Sequence, residues 1–239
     1  MEFNKRVKRG IGGIFFLILL YIIGNFFIME MTRHFHPYMS WNLFLAAVPL
    51  FFACLVIYFL RKGSRFLVVV FLVLWLLFYP NSPYIITDYI HISNEFEILV
   101  DKPLDDNPDL KQRVYVFNDD FYIWVDFVII STGVFLGVAA GLMSLKLLER
   151  LAMERLGRGV AFIFVLLVQL LTGYAITIGR FERWNSWDVF NPMNIYEILV
   201  THWDIGSLKF TLLFSFMSLT VYMFFSIIIW VFDGGNYRK

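Results

Sequence analysis

Long apolar runs separated by short charged connections set the reading of this chain. Six stretches reach the length that crosses a bilayer core of about 30 Å, about 20 residues at 1.5 Å each. They are about 10–28, 41–60, 66–86, 121–145, 159–179 and 210–232, all dense in Leu, Ile, Phe and Val. The runs are apolar on every face rather than alternating, which predicts helices and not the strands of a barrel. The expected fold is therefore all-α, one polytopic domain of six transmembrane helices. The longest soluble piece, an outer loop at about 93–120, contains the run Asp101-Lys-Pro-Leu-Asp-Asp-Asn-Pro-Asp109. Its Pro and Asp content reads as a solvated loop. The segment Arg113–Phe117 fits either a short strand or a helical lead-in.

The third span is interrupted by Pro80-Asn81-Ser82-Pro83. Proline blocks the helical ladder and constrains the residue before it. The expectation is a helix that breaks at Pro80, with Asn81 or Ser82 as cap and Pro83 at the first position of a short helix running to about Ile92. The positive end of that restart would suit an anion. Beyond the fifth span, Asn185-Ser-Trp-Asp188 has the spacing of a capping box. Asn191-Pro192 then starts a segment, about 192–203, expected to lie as an interfacial helix on the outer face. Gly133, Gly137 and Gly141 form a small-residue stripe on the fourth span. The stripe fits packing within the chain, or a homodimer or partner helix.

Composition supports the membrane class. The chain is 59% hydrophobic and 16% charged, with mean hydropathy +0.70, whereas soluble domains hold about 25% charged residues. Basic residues then orient it. Lys5, Arg6, Lys8 and Arg9 precede the first span; Arg61, Lys62 and Arg65 fill the second connection; Lys146, Arg150, Arg155 and Arg158 flank the fourth; Arg238 and Lys239 end the chain. The opposite loops hold most of the acids. By the positive-inside rule both termini are cytoplasmic. The first apolar run is too long for the core of a cleavable signal. The single cysteine, Cys54, forms no internal disulfide and reads as a core residue. The net charge of +1 says nothing about partners, because the charges are strongly segregated; the expected partner is the lipid bilayer, with no nucleic acid.

Candidate chemistry gathers at the outer ends of the spans. Asp126 lies inside an apolar run, and an ionisable group there marks a functional-site candidate. Tyr84, Asp88 and His91 share a helical face. Arg180 and Arg183 follow the fifth span, and guanidinium forks bind phosphate in a bidentate manner. Asn42, Trp184, Asn185, Trp187 and Asp188 complete the pool, with the arginines, Tyr84 and these residues as anion- or substrate-binding candidates. Asp88, His91 and Asp126 are candidates for proton transfer or catalysis. Asp88 and His91 are also candidates for a divalent metal, completed by Asp126 or His202; no cofactor is demanded by the sequence. His34 and His36 add a loose pair. The acidic outer loop lacks the ligand spacing of an EF-hand. Ser186 lacks a nucleophile motif, and its place in a capping sequence explains it better.

Trp41-Asn42-Leu43-Phe44-Leu45-Ala46, Pro80-Asn81-Ser82-Pro83-Tyr84-Ile85-Ile86-Thr87-Asp88, Trp124-Val-Asp126 and Gly179-Arg-Phe-Glu-Arg-Trp-Asn-Ser-Trp-Asp188 resemble a bacterial membrane family catalogued as domain of unknown function 1361. Asn-Ser-Pro-Tyr stands where the family pattern has Asn-Ala-Pro-Tyr. The resemblance implies a small bacterial inner-membrane protein of the cell envelope and carries no activity with it. From the residues, the expected function is an outward-facing polar cavity that binds, and moves or modifies, a lipid-linked or anionic envelope substrate. A metal-assisted membrane hydrolase or transferase and a non-catalytic accessory subunit of a membrane complex are the alternatives.

Overall fold

The structure is a computed structural model that describes residues 5–32, 37–92, 97–104, 107–191, 193, 196 and 204–232. Its helices are α1 (Lys5–Thr32), α2 (Pro37–Arg61), α3 (Arg65–Phe78), α4 (Asn81–Tyr84), α5 (Phe121–Leu156), α6 (Arg158–Phe181) and α7 (Ile205–Phe232). A 3-10 segment (Ile85–His91) continues α4. Counting α3, α4 and that segment as one crossing, six helices are long and apolar enough to span a membrane.

Burial sorts these spans into inner and outer. In α5 and α2 the most apolar windows are 61% and 50% buried, against 11% in α1 and α7. The first two form the centre, where Leu43, Ala46, Leu50, Ile130, Val134 and Leu145 are buried. The last two present Leu, Phe and Ile outward, as a lipid-facing helix must. Inside the bilayer, apolar residues gain nothing by meeting each other rather than lipid, so close fit and hydrogen bonds hold the helices together. Gly133, Gly137 and Gly141 supply that fit within the chain. They are buried against Met39 and Tyr21, against Ala46 and Ile85, and against Ser82. The stripe is thus filled from inside and is no surface for a homodimer or partner helix. Side-chain bonds add to the fit. Trp75 Nε1 donates to Ser144 Oγ at 3.0 Å, Ser82 Oγ to the Ala46 carbonyl at 2.8 Å, and Tyr21 OH to the Ile129 carbonyl at 3.0 Å.

The third span departs from expectation in form. The chain does interrupt at Tyr79–Pro80, but both residues keep right-handed helical dihedrals, so no extended stretch lines a cavity. The restart comes at Asn81 rather than Pro83 and winds on as 3-10 turns. No side chain caps it. Its amides are already used, with Ser82 N donating to the Tyr79 carbonyl and Tyr84 N to the Pro80 carbonyl. Both of those amides are thereby turned into the helix itself.

Two further boundaries differ. α5 has 36 residues, roughly 54 Å at 1.5 Å each. It continues well past the expected end at 145, because the charged run beyond still suits a helix once it has left the apolar layer. Gly157, at φ +94°, then turns the chain directly into α6, a backbone region that favours glycine. The loop expected on the outer face is not plain loop either. β1 (Glu97–Leu104) and β2 (Asn107–Phe117) pair antiparallel, with Asp101 opposite Arg113, so the fold is mainly rather than wholly helical. Arg113–Phe117 is strand. Asp105 and Asp106 lie outside the described residues, as do His34, His36, His202 and Trp203. Of the expected interfacial helix only Met193 and Tyr196 are described; both are helical and exposed. Asn191 Oδ1 accepts from Met193 N at 3.1 Å, which is the expected cap.

Candidate functional site

The connections on the hairpin face of the bundle enclose a cavity of about 740 Å³, well within the 300–1,000 Å³ typical of small-ligand sites. Four elements build it. α2 contributes Trp41, Asn42 and Leu45 at its first turns. α3 and the restart contribute Leu76, Leu77, Pro80, Asn81, Tyr84 and His91. α6 contributes Leu171, Thr172, Tyr174, Ala175, Ile176, Ile178, Gly179 and Arg180, and the turn after it Arg183, Trp184, Asn185 and Ser186.

Local chemistry explains why these elements meet. Gly179 lets the Tyr84 ring and the Trp184 carbonyl come close to α6; a Cβ there would stand 3.4 Å and 3.3 Å from them. Asn81 Nδ2 donates to the Phe78 carbonyl and to Ser186 Oγ, each at 2.9 Å, which ties the interrupted third span to the turn after α6. Half of the capping box forms: Asp188 Oδ2 accepts from Asn185 N at 2.7 Å, while Asp188 N donates to the Asn185 carbonyl and the 3-10 turn that follows, Asp188–Phe190, carries no side-chain cap.

Charge is arranged in two layers. Asp88 is buried, with 1% of its surface exposed, and Asn42 Nδ2 donates to its Oδ2 at 2.8 Å. His91 Nε2 lies 4.0 Å from Asp88 Oδ1, and its ring packs on Tyr38. Arg180 lies within electrostatic reach of the same carboxylate. Asn42, His91 and Arg180 in turn line the cavity, whereas Asp88 does not. Among the described residues, no Asp or Glu lines it. Neither Arg180 nor Arg183 forms a hydrogen bond or an ion pair within 4 Å among the described residues. Arg183 also sits at φ +59°, the one non-glycine residue with positive φ among those described.

The sequence candidates therefore divide. Asn42, Tyr84, His91, Arg180, Arg183, Trp184 and Asn185 share the cavity wall. Asp88 stands directly behind it. Trp187 packs edge-on against Trp41, outside the wall, and Asp188 serves the turn. Asp126 is buried on the α5 face that carries Ile130 and Gly133, is engaged inside the fold, and is not part of the cavity. Asp88 and His91 are two adjacent donors, and among the described residues no group of three or more metal-ligating side chains exists. Residues that sequence reasoning passed over are Trp41, Asn81, Thr172 and Tyr174. An isolated polar residue inside an apolar span was the available signal for Thr172.

A bundle of six apolar, membrane-spanning helices with a polar cavity at one end defines a multi-pass membrane protein. The sequence model of the family described as Protein of unknown function (DUF1361) matches residues 41–221. The chain belongs to that family, and the match covers every element that builds the cavity. No curated protein and no solved structure matches the chain.

Proposed function

We propose that this is a bacterial plasma-membrane protein with both termini in the cytoplasm, whose cavity opens outward and binds an anionic, lipid-linked envelope substrate. Segregation of Lys and Arg to one set of loops supports the orientation. One observation carries the binding reading: two arginines face a cavity whose wall holds no carboxylate among the described residues. Arg180 has the Asp88 carboxylate behind the wall within electrostatic reach and Arg183 is exposed, and both border a space large enough for a guest. The wall below them is apolar, and Leu76 and Leu171 are also exposed on the outside of the bundle. A hydrocarbon chain can therefore lie on that wall while a phosphate-like headgroup meets the arginines. Asp88 holds Asn42, His91 and Arg180 toward the cavity as a positioning residue.

Native mass spectrometry of the purified chain with phosphatidic acid, diacylglycerol and inorganic phosphate tests the reading. Phosphatidic acid is expected to bind, and diacylglycerol, which lacks the phosphate, to bind at least tenfold more weakly. A charge-assisted hydrogen bond contributes about 1.5–3 kcal/mol, and about 1.4 kcal/mol is tenfold in affinity. The double variant Arg180→Ala/Arg183→Ala should thus lose tenfold or more. Binding of inorganic phosphate alone would point to a free anion rather than a lipid. Equal binding of diacylglycerol and phosphatidic acid overturns the proposal.

A further inference from the structure

A second set of buried polar groups runs away from the cavity, through the middle of the bundle. It starts at Thr172, which lines the cavity floor, is 1% exposed, and whose Oγ1 hydrogen-bonds nothing among the described residues. One turn further along α6, Gln169 is 2% exposed. Its Oε1 accepts from Ser218 Oγ of α7, and its Nε2 is 3.5 Å from the hydroxyl of Tyr79. Gln169 stands eleven residues from Arg158 and twelve from Phe181, so at 1.5 Å per residue it is roughly midway across the membrane. Tyr222 stands one turn beyond Ser218 on the same buried face of α7. Tyr222 OH accepts from Lys146 Nζ at 2.9 Å, and Lys146 Nζ bonds Glu149 Oε2 at 2.7 Å. That ion pair, with each side chain 16% exposed, sits where α5 approaches the basic loops.

Ionisable side chains inside a membrane are costly and mark ion and proton paths, and this file of hydroxyls and an amide ends on two of them. Interhelical bonds that only hold helices together contribute about 0.6 kcal/mol on average. They give no reason for four helices to supply the partners, or for the string to begin at an unpartnered hydroxyl on a cavity wall and finish at a part-buried ion pair.

We infer that this file of polar groups is a proton path joining the cavity to the opposite face of the membrane. Water in the cavity reaches Thr172. A proton then adds to a hydroxyl oxygen as that hydroxyl passes its own proton onward, through Tyr79, Ser218 (once its hydroxyl turns from the Gln169 carbonyl that accepts it at rest) and Tyr222, with water bridging the steps. No group on the way changes its net protonation until the Glu149 carboxylate takes the proton and releases it at the basic face. Lys146 stays an ammonium throughout. Gln169 exchanges no proton; its amide is a positioning group that holds Ser218 and Tyr79 in line.

The full chain in phosphatidylcholine vesicles loaded with a pH-sensitive dye, under a potassium diffusion potential, tests this without any ligand. Internal pH is expected to change several-fold faster than in protein-free vesicles. Tyr79→Phe, Gln169→Leu and Glu149→Gln should each slow it at least fivefold. Thr177→Val, in the same α6–α7 interface but outside the file, should not. A variant counts only if it elutes as one species with unchanged helical circular dichroism; where one misfolds, the others decide. The measurement is repeated with phosphatidic acid in the vesicles, so that a path opened by cavity loading is also seen. Rates equal to protein-free vesicles in both lipids, or wild-type rates in the folded variants, overturn the inference and leave the file as helix glue. The outcome does not depend on whether the arginines bind an anion.

Discussion

Arg183 is the residue at which local strain and site position coincide. A left-handed backbone costs an ordinary L-residue about 1–2 kcal/mol, and such strain persists where the surroundings or a function demand it. Arg183 adopts φ +59° on the cavity wall, and its side chain is exposed. No described contact of its guanidinium compensates for the strain. Asn tolerates this backbone far better than Arg. Arg183→Asn is therefore expected to leave the thermal midpoint of the purified protein unchanged or raise it, by up to about 1 kcal/mol of stability, while phosphatidic acid binding falls. A drop of several degrees would show that the guanidinium holds the fold together and was kept for that reason. At this scale the sequence was informative about residue type and uninformative about direction. Arg180 and Arg183 were legible because guanidinium groups at the end of an apolar span are conspicuous. Asp126 was equally conspicuous, yet it is buried on the helix face that carries Ile130 and Gly133 and does not line the cavity. One helical phase decides between those outcomes, and a single apolar-all-round segment such as Phe121–Ile130 does not reveal its phase.

The element that shapes the cavity is the interrupted third span. Its two prolines made the interruption legible. They did not disclose that the backbone stays helical through Pro80, because the constraint on a residue preceding proline is statistical and tertiary bonds override it. The overriding bonds belong to Asn81, which reaches back to the Phe78 carbonyl and across to Ser186. Each is a part-buried bond, so Asn81→Ala should cost about 1–3 kcal/mol and Ser186→Ala less, since only one of the two bonds is lost. Because both variants break the same bridge, their effects should not add. The double variant is expected to melt at nearly the temperature of Asn81→Ala alone. Additive losses in thermal melts would mean that the bridge does not couple the two segments. The hairpin was less legible than any helix. Pro and Asp at its tip imitate a solvated loop, and a pairing of strands of such mixed composition leaves no strict alternation to detect.

Across the whole molecule, stability should follow burial and not secondary structure alone. α2 and α5 interlock through fixed close approaches, whereas α1 and α7 present mostly lipid-facing surface. The hairpin stands apart from both groups. An isolated two-stranded sheet is marginal in water, and this one is held by little beyond its own ladder. Its Asp101–Arg113 pair is exposed and 3.6 Å apart, a kind of contact that contributes about 0–1 kcal/mol. Phe117 packs on Trp124 at the start of α5 with ring centroids 6.2 Å apart, which anchors one strand at one end. Hydrogen exchange in lipid nanodiscs is therefore expected to rank the molecule in three tiers. Amides of 97–104 and 107–117 should exchange first, those of α1 and the outer turns of α7 next, and those of α2 and the middle of α5 last, the order that local opening free energies impose. Ladder bonds alone would protect the hairpin as well as the helices, so protection equal to that of α5 would contradict the ranking. It would require something beyond the described residues to cover Ile98, Leu99 and Tyr115, which are exposed on the two strands. The same experiment bears on the cavity, because its wall draws on rigid α2, the bridged third span, α6 and the turn after it. A guest held by Arg180 and Arg183 should slow exchange in the turn after α6 while leaving α2, already slow, unchanged.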